Sequence, residues 1–295
     1  MYLGELAALS AAILWSFTGF VFSAASHRIG ATTVNISRLI SASALLALAI
    51  LLSGVDYSLS SYQILLLAIS GLIGLAIGDQ FLFSSYEQIG PRYGMLLLSS
   101  NPVLSAILGF FVLGEDLSWL GIVGIAVTIG GICMVVMEDT EEGATKFKMT
   151  RKGLFFGIMA AVCQASGLLL SKMAYEAGSL HWMVGTFARV FSSALMMLPV
   201  VLFVRGSKIF NVFARDHKAL GLVVLGSIIG PFLGISASFL AIMHTKIGIA
   251  STIMALPPIF MLPMSHYFHR ERLSWKAIVG AFIAVGGVSM LFIFE

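Results

Sequence analysis

The sequence predicts an all-α polytopic membrane protein whose ten transmembrane helices form two inverted five-helix repeats. Three observations carry that expectation. The 295 residues are 59% hydrophobic and 11% charged, where soluble domains run at about 25% charged. Apolar runs long enough to cross a bilayer core, about 20 residues each, follow one another along the chain. The chain also repeats itself at an offset of 156 positions. Glu115-Asp116-Leu117-Ser118-Trp119 returns as Glu271-Arg272-Leu273-Ser274-Trp275, and Pro102 meets Pro258. Gly130-Gly131 likewise meets Gly286-Gly287, and seven of the ten positions from Glu115 to Gly124 are identical to their partners. Self-similarity of this kind marks a duplicated unit.

Taken in order, the spans fall at residues 3–24, 31–53, 62–88, 92–113 and 119–137, then 153–175, 183–204, 218–244, 247–269 and 275–294. The first begins without the basic n-region of a cleaved signal and is too apolar for too long, so it reads as a retained span. Residues 1–137 form one repeat, 138–152 a polar linker and 153–295 the second repeat. Five is an odd number, so the second copy enters the membrane upside down. Many secondary transporters are built this way, with the substrate between the repeats near the bilayer midplane. Twelve Lys and Arg residues, among them Arg28, Arg92, Arg151 and Arg270, fall in loops on one side, against Lys172 and Lys246 on the other. The basic side is cytoplasmic by the positive-inside rule, which puts both termini outside a plasma or inner membrane.

Small and turn-forming residues predict how the spans pack. Gly74 and Gly78, with Gly230 and Gly234 at the same offset, form GxxxG pairs that let helix backbones approach in lipid. A hinge is the second role open to them. Glu115 and Glu271 lie at the water boundary, and Ser118 and Ser274 are placed to cap the following helices. Trp119 and Trp275 suit the aromatic belt. Pro102, Pro258 and Pro263 fall inside predicted helices, where they free backbone carbonyls. Cys133 and Cys163 read as buried apolar thiols.

Polar residues inside the spans predict the site. Arg38 lies about 10 Å into the second span from the helix rise, and Asp79 sits at similar depth in the third. Groups so placed pair or line a watery path, although an arginine also has the option of snorkelling to the interface. Asn35 lies one turn before Arg38. Arg189 holds a related place in the seventh span, two residues off the local register, but Ile235 stands where its acidic partner would be. Arg189 is therefore expected to meet an anionic group. Trp15 and Gln164 are near-equivalent in the first and sixth spans, and are expected to face each other near mid-membrane. Asp79 is the deeply placed carboxylate, so proton coupling would involve it, beside a purely structural salt bridge.

Enzyme signatures are absent: the histidines are scattered, there is no metal-ligand cluster, and there is no Walker-type glycine loop. The reading is a non-enzymatic secondary transporter without cofactor or metal, moving a small polar anionic or zwitterionic metabolite, with an amino acid among the candidates. Its surroundings are the lipid bilayer, with no nucleic-acid partner, and the unit is a monomer able to function alone or as a dimer. The rival from another class is a membrane scaffold or sensor that transports nothing.

Ala12-Ile13-Leu14-Trp15-Ser16, Pro102 followed by Leu113-Gly114-Glu115, and the glycine-rich helix after them resemble the EamA-type branch of the drug/metabolite transporter superfamily. The second copy matches less fully, since His269-Arg270 replaces Leu-Gly before Glu271. The resemblance covers essentially the whole chain and implies a permease or exporter without naming its substrate. Small multidrug exporters of the superfamily carry a proton-coupling glutamate where this chain has Ser16. Proton/cationic-drug exchange of that kind is therefore not expected. Many ten-helix relatives are thought to keep their termini in the cytoplasm, but the loop charge of this chain places them outside.

Overall fold

The computed structural model describes residues 2–56, 58–114, 118–137, 147–206, 216–244, 247–270 and 273–293. Regular structure among the described residues is entirely helical: α1 (Leu3–Ile29), α2 (Ala31–Ser53), α3 (Ser61–Leu98), α4 (Asn101–Leu113), α5 (Trp119–Val136), α6 (Arg151–Glu176), α7 (Trp182–Arg205), α8 (217–244), α9 (Ile247–Met254), α10 (Pro257–His269) and α11 (Trp275–Ile293). Seven of these are long and apolar enough to cross a membrane, and Asn101–Leu113 and Trp275–Met290 are shorter apolar helices. Large apolar side chains such as Leu51, Leu52 and Phe203 point outward, as a lipid-facing surface requires.

Helix starts follow local chemistry. Ser60 and Gln63 form a capping box at α3, and Asp216 accepts from Ala219 N at 3.0 Å to cap α8. Ser118 accepts from Gly121 N at 3.1 Å and Ser274 from Ala277 N at 3.2 Å, so both serines cap α5 and α11 as expected. Trp119 and Trp275 project outward beside them. Glu115 and Glu271 lie outside the described residues, as do 138–146 of the linker.

The two halves break their helices at corresponding places. Leu72–Gly78 in α3 and Ile228–Gly234 in α8 are π-helical, and their bounds differ by the same 156 positions as the sequence repeat. Gly90 interrupts α3 with φ 80 and ψ 166. An L side chain rarely adopts that φ, and a Cβ there would lie 2.5 Å from the Phe147 ring, so glycine is required on two counts. The fourth and ninth spans are not continuous: Ser99–Ser100 separates α3 from α4, and residues 255–256 separate α9 from α10.

That separation corrects the reading of two prolines. Pro102 and Pro258 sit in the first turn of α4 and α10 rather than inside a helix. The amide that proline lacks is unsatisfied there in any case, so no interior carbonyl is freed. Pro263 does lie inside α10. Two further corrections concern exposure. Cys133 is exposed and only Cys163 is buried, because α5 turns one face outward. Arg92, counted as a loop residue, is buried in the helical run after Gly90, with its guanidinium 5.0 Å from the Tyr93 ring.

The helices pack in five principal pairs: α3 with α6, α5 with α11, α1 with α8, α3 with α7, and α2 with α7. Glycine determines the closest of these. A Cβ on Gly131 would come within 2.7 Å of the Gly280 carbonyl oxygen, and one on Gly287 within 2.6 Å of the Gly124 carbonyl oxygen. The GxxxG pairs do the same for α3 and α8. Gly74 lies against Gly167 and Gly78 against Cys163, while Gly230 lies against Thr18 and Gly234 against Trp15. A central core of Phe22, Val34, Leu82, Phe83, Tyr86, Ala160 and Val223 joins α1, α2, α3, α6 and α8.

Candidate functional site

The π segment of α3 builds the site from its backbone. Within it the Asp79 N–H bonds back to Gly74 O, five residues earlier. Returning from that spacing to the α-helical one leaves a carbonyl without a ladder donor. Asn35 Nδ2 fills the gap, donating to Leu75 O at 3.2 Å and Ala76 O at 2.9 Å. Asn35 is fully buried, so this is how α2 recognises the bulge. The bulge also places Asp79, buried at 3% exposure, at the first position of the α-helical stretch that follows it.

Arg38 meets Asp79 there. Its Nη2 forms an ion pair with Asp79 Oδ2 and donates to Asn35 Oδ1 at 3.3 Å. Its guanidinium carbon also lies 5.9 Å from the Phe22 ring and 5.4 Å from the Phe83 ring. Those rings close the pair off on the α1 and α3 sides, and a desolvated cation is attracted to aromatic faces. Asp79's second oxygen accepts from Gln164 Nε2 of α6 at 2.5 Å. One carboxylate therefore ties together α2, α3 and α6.

Arg189 stands beside this network without joining it by a hydrogen bond. It is the eighth residue of α7, as Arg38 is the eighth of α2. A Cβ on Gly74 would lie 3.4 Å from Arg189 Nη2 and 3.7 Å from Gln164 Oε1. Arg189 Nε is buried without a hydrogen-bond partner. Asp79 interacts electrostatically with both arginines, and the Tyr175 hydroxyl shares the field of Arg189.

Trp15 takes a separate place. Its indole lies on Gly234, at the end of the π segment of α8. Cys163 holds the corresponding position on Gly78, so it is Cys163 rather than Gln164 that mirrors Trp15. Gln164, one residue further along α6, turns to Asp79 instead. Expected residues thus divide into two groups: Asn35, Arg38, Asp79, Gln164 and Arg189 come together, and Trp15 of α1 packs on α8.

Sequence reasoning missed Phe22, Phe83 and Tyr175. Each looked like one aromatic among many in an apolar helix, and only their approach to a guanidinium distinguishes them. A groove of ≈ 330 Å³ between α3 and α7 is lined by Leu72, Ile77, Phe81, Met196, Met197 and Val200, with Gln80 as its polar member. The charged residues of the site are not among its lining.

Comparison with known proteins agrees with this architecture. The model of the EamA-like transporter family matches residues 2–137 and 151–293. An uncharacterized transporter of Archaeoglobus fulgidus is 23% identical over 286 residues, covering 97% of this chain and 96% of that one. A WAT1-related chloroplastic protein of Arabidopsis thaliana is 18% identical over 76% of this chain, which spans 54% of that relative's length. One solved crystal structure shares the fold with a TM-score of 0.68 and 17% identity, covering 99% of this chain and 96% of that one. With a family match over nearly its whole length, a helical bundle of membrane-spanning character and paired polar groups within it, the chain belongs to the EamA-like transporter family.

Proposed function

We propose that this protein is a secondary transporter of a small polar anionic or zwitterionic metabolite, working by alternating access between two inverted five-helix repeats. The repeats are residues 1–137 and 153–295, joined by the linker 138–152. On this reading the helical run after Gly90 joins α4 as the fourth crossing, and α9 joins α10 as the ninth, which gives ten. The matching π segments of α3 and α8 support the duplication. So do the pairings of α3 with α6 and α1 with α8, which carry each repeat across to the other.

The observation that carries the reading is Arg189. A guanidinium held inside a membrane bundle with no ion-pair partner among the described residues, unlike Arg38 with its Asp79, is costly unless an anion joins it. Substrate would meet it from a cavity that also includes Asn35, Arg38, Asp79, Gln164 and Trp15, opened by rocking the repeats against each other. Gradients supply the driving force.

Reconstitution into liposomes with a panel of radiolabelled metabolites tests this. Uptake or counterflow of an anionic or zwitterionic solute should be measurable, and Arg189→Ala should weaken it. A folded protein that moves nothing across a broad panel would replace transport with a scaffold or sensor role. Transport indifferent to Arg189→Ala would keep the transporter and remove the arginine from its substrate site.

A further inference from the structure

The charge count of the buried network defines the ligand more narrowly than the transport reading on which it rests. The cluster holds two guanidinium groups, Arg38 and Arg189, and one carboxylate, Asp79. Both oxygens of Asp79 are engaged, one by Arg38 and the other by Gln164. Arg38 is further held by Asn35 and faced by two aromatic rings. Arg38 is therefore answered by a direct ion pair, whereas Arg189 feels Asp79 only at a distance and forms no ion pair among the described residues.

We infer that the site takes a monoanion: Arg189 receives the single acidic group, and Arg38 sets the charge of the site by occupying Asp79. A ligand with one negative charge brings the cluster to neutrality. A dianion would leave a negative charge in a low-dielectric interior, where an unanswered charge is strongly disfavoured. A zwitterion would bring an ammonium group with no carboxylate to receive it. Of the other described carboxylates, Glu5, Asp56, Glu176 and Asp216 stand at helix ends or in loops, and Glu87 lies three residues before the Gly90 break of α3, where it accepts from Ala31 N at the start of α2. Arg38 is a positioning residue in this scheme. Without it, Asp79 is free to turn to Arg189, which would close the anion site from within.

The test uses four proteins reconstituted in liposomes: wild type, Arg38→Gln, Asp79→Asn and the double variant. γ-Hydroxybutyrate, γ-aminobutyrate and succinate are competitors of similar length, monoanion, zwitterion and dianion at neutral pH. They are added against the solute that wild type carries in the panel above. Wild type should be inhibited best by γ-hydroxybutyrate. Asp79→Asn, with one more positive charge, should move succinate ahead. Arg38→Gln should weaken all three by about tenfold or more, the effect of ~1.4 kcal/mol. The double variant, again with one positive charge, should return to the wild-type order. Competition order does not depend on how much folded protein is present, so a merely structural ion pair would not move it. An order unchanged in Asp79→Asn, no recovery in a monodisperse double variant, or a carried solute that is not a monoanion would overturn the inference. In each of these cases transport itself stands, whereas a wild type that carries nothing removes the transport reading instead.

Discussion

Arg38 and Asp79 show how a single residue pair can anchor a membrane bundle. Both side chains are shut off from solvent at this depth, so each depends on the other more than on water. Breaking a buried pair by removing one member typically costs about 3–5 kcal/mol. Arg38→Ala and Asp79→Ala should each lower thermal stability in detergent markedly, and the double substitution should lower it by less than their sum. Simple additivity would mean that the two side chains do not act as a unit. A second pair behaves differently because it is wet. Arg28 Nε and Nη2 bond Asp216 at 2.8 and 3.0 Å, clasping the end of α1 to the start of α8. The Arg28 guanidinium, and then the Ala219 amide, hold the Asp216 carboxyl below the usual carboxylate range. A carboxyl with a lowered folded pKa adds stability that is present above its unfolded value, about 3.9, and lost as pH falls through the folded one. The stability difference between wild type and Asp216→Asn should be full at neutral pH and close below about pH 4. A difference of the same size across that range would argue against the clasp.

At the scale of elements, the helices are held by what glycine leaves room for and by what the π segments leave unbonded. α5 and α11 carry adjacent glycines with opposite roles. Gly131 and Gly287 face the partner backbone, while Gly130 and Gly286 have nothing within 4 Å of an added Cβ. Gly131→Ala and Gly287→Ala should destabilise by about 1–3 kcal/mol, the usual effect of overpacking. Gly130→Ala and Gly286→Ala should be tolerated. Comparing the melting profiles of the four variants decides the matter, and equal effects within each adjacent pair would refute the packing. Asn35→Leu tests the π segment of α3. It leaves the Leu75 and Ala76 carbonyls without their side-chain donor, at a cost of about 1–3 kcal/mol for a buried unsatisfied group. Asn35→Asp should not rescue it, since a carboxylate cannot donate to a carbonyl.

For the whole molecule, the open matter is which way it sits in the membrane. Loop charge favours a cytoplasmic linker and external termini. In whole cells carrying a cysteine-free background, Glu142→Cys should be protected from an impermeant thiol reagent. Glu295→Cys should be labelled. The reverse pattern would invert the orientation while leaving the fold and site untouched. On the proposed inverted-repeat reading that independence is expected, because each face of the bundle would resemble the other turned over.

Much of this was legible in the sequence. The solvent class follows from 59% hydrophobic residues, since nothing so apolar can cover itself with polar surface. The duplication is written in residues 156 positions apart, and Arg38 with Asp79 stands out because charge inside an apolar span needs a reason. Caps at Ser118 and Ser274 were readable because capping is a local bond between near neighbours. What the tertiary structure decided is which distant surfaces meet. No local pattern tells that Gly74 and Gly78 pack on α6 rather than on α8. The placement of Pro102 and Pro258 at helix starts could not be read either, because an apolar run looks the same whether one helix or two pass through it. The π segments were hidden for a related reason. A bulge is stable only when something else satisfies the carbonyl it strands, and here that is Asn35, some 40 residues away on another helix. The pairing of Gln164 with Asp79 and the lone state of Arg189 Nε belong to the same class. Each depends on three helices arriving together, which composition and periodicity along one chain do not encode.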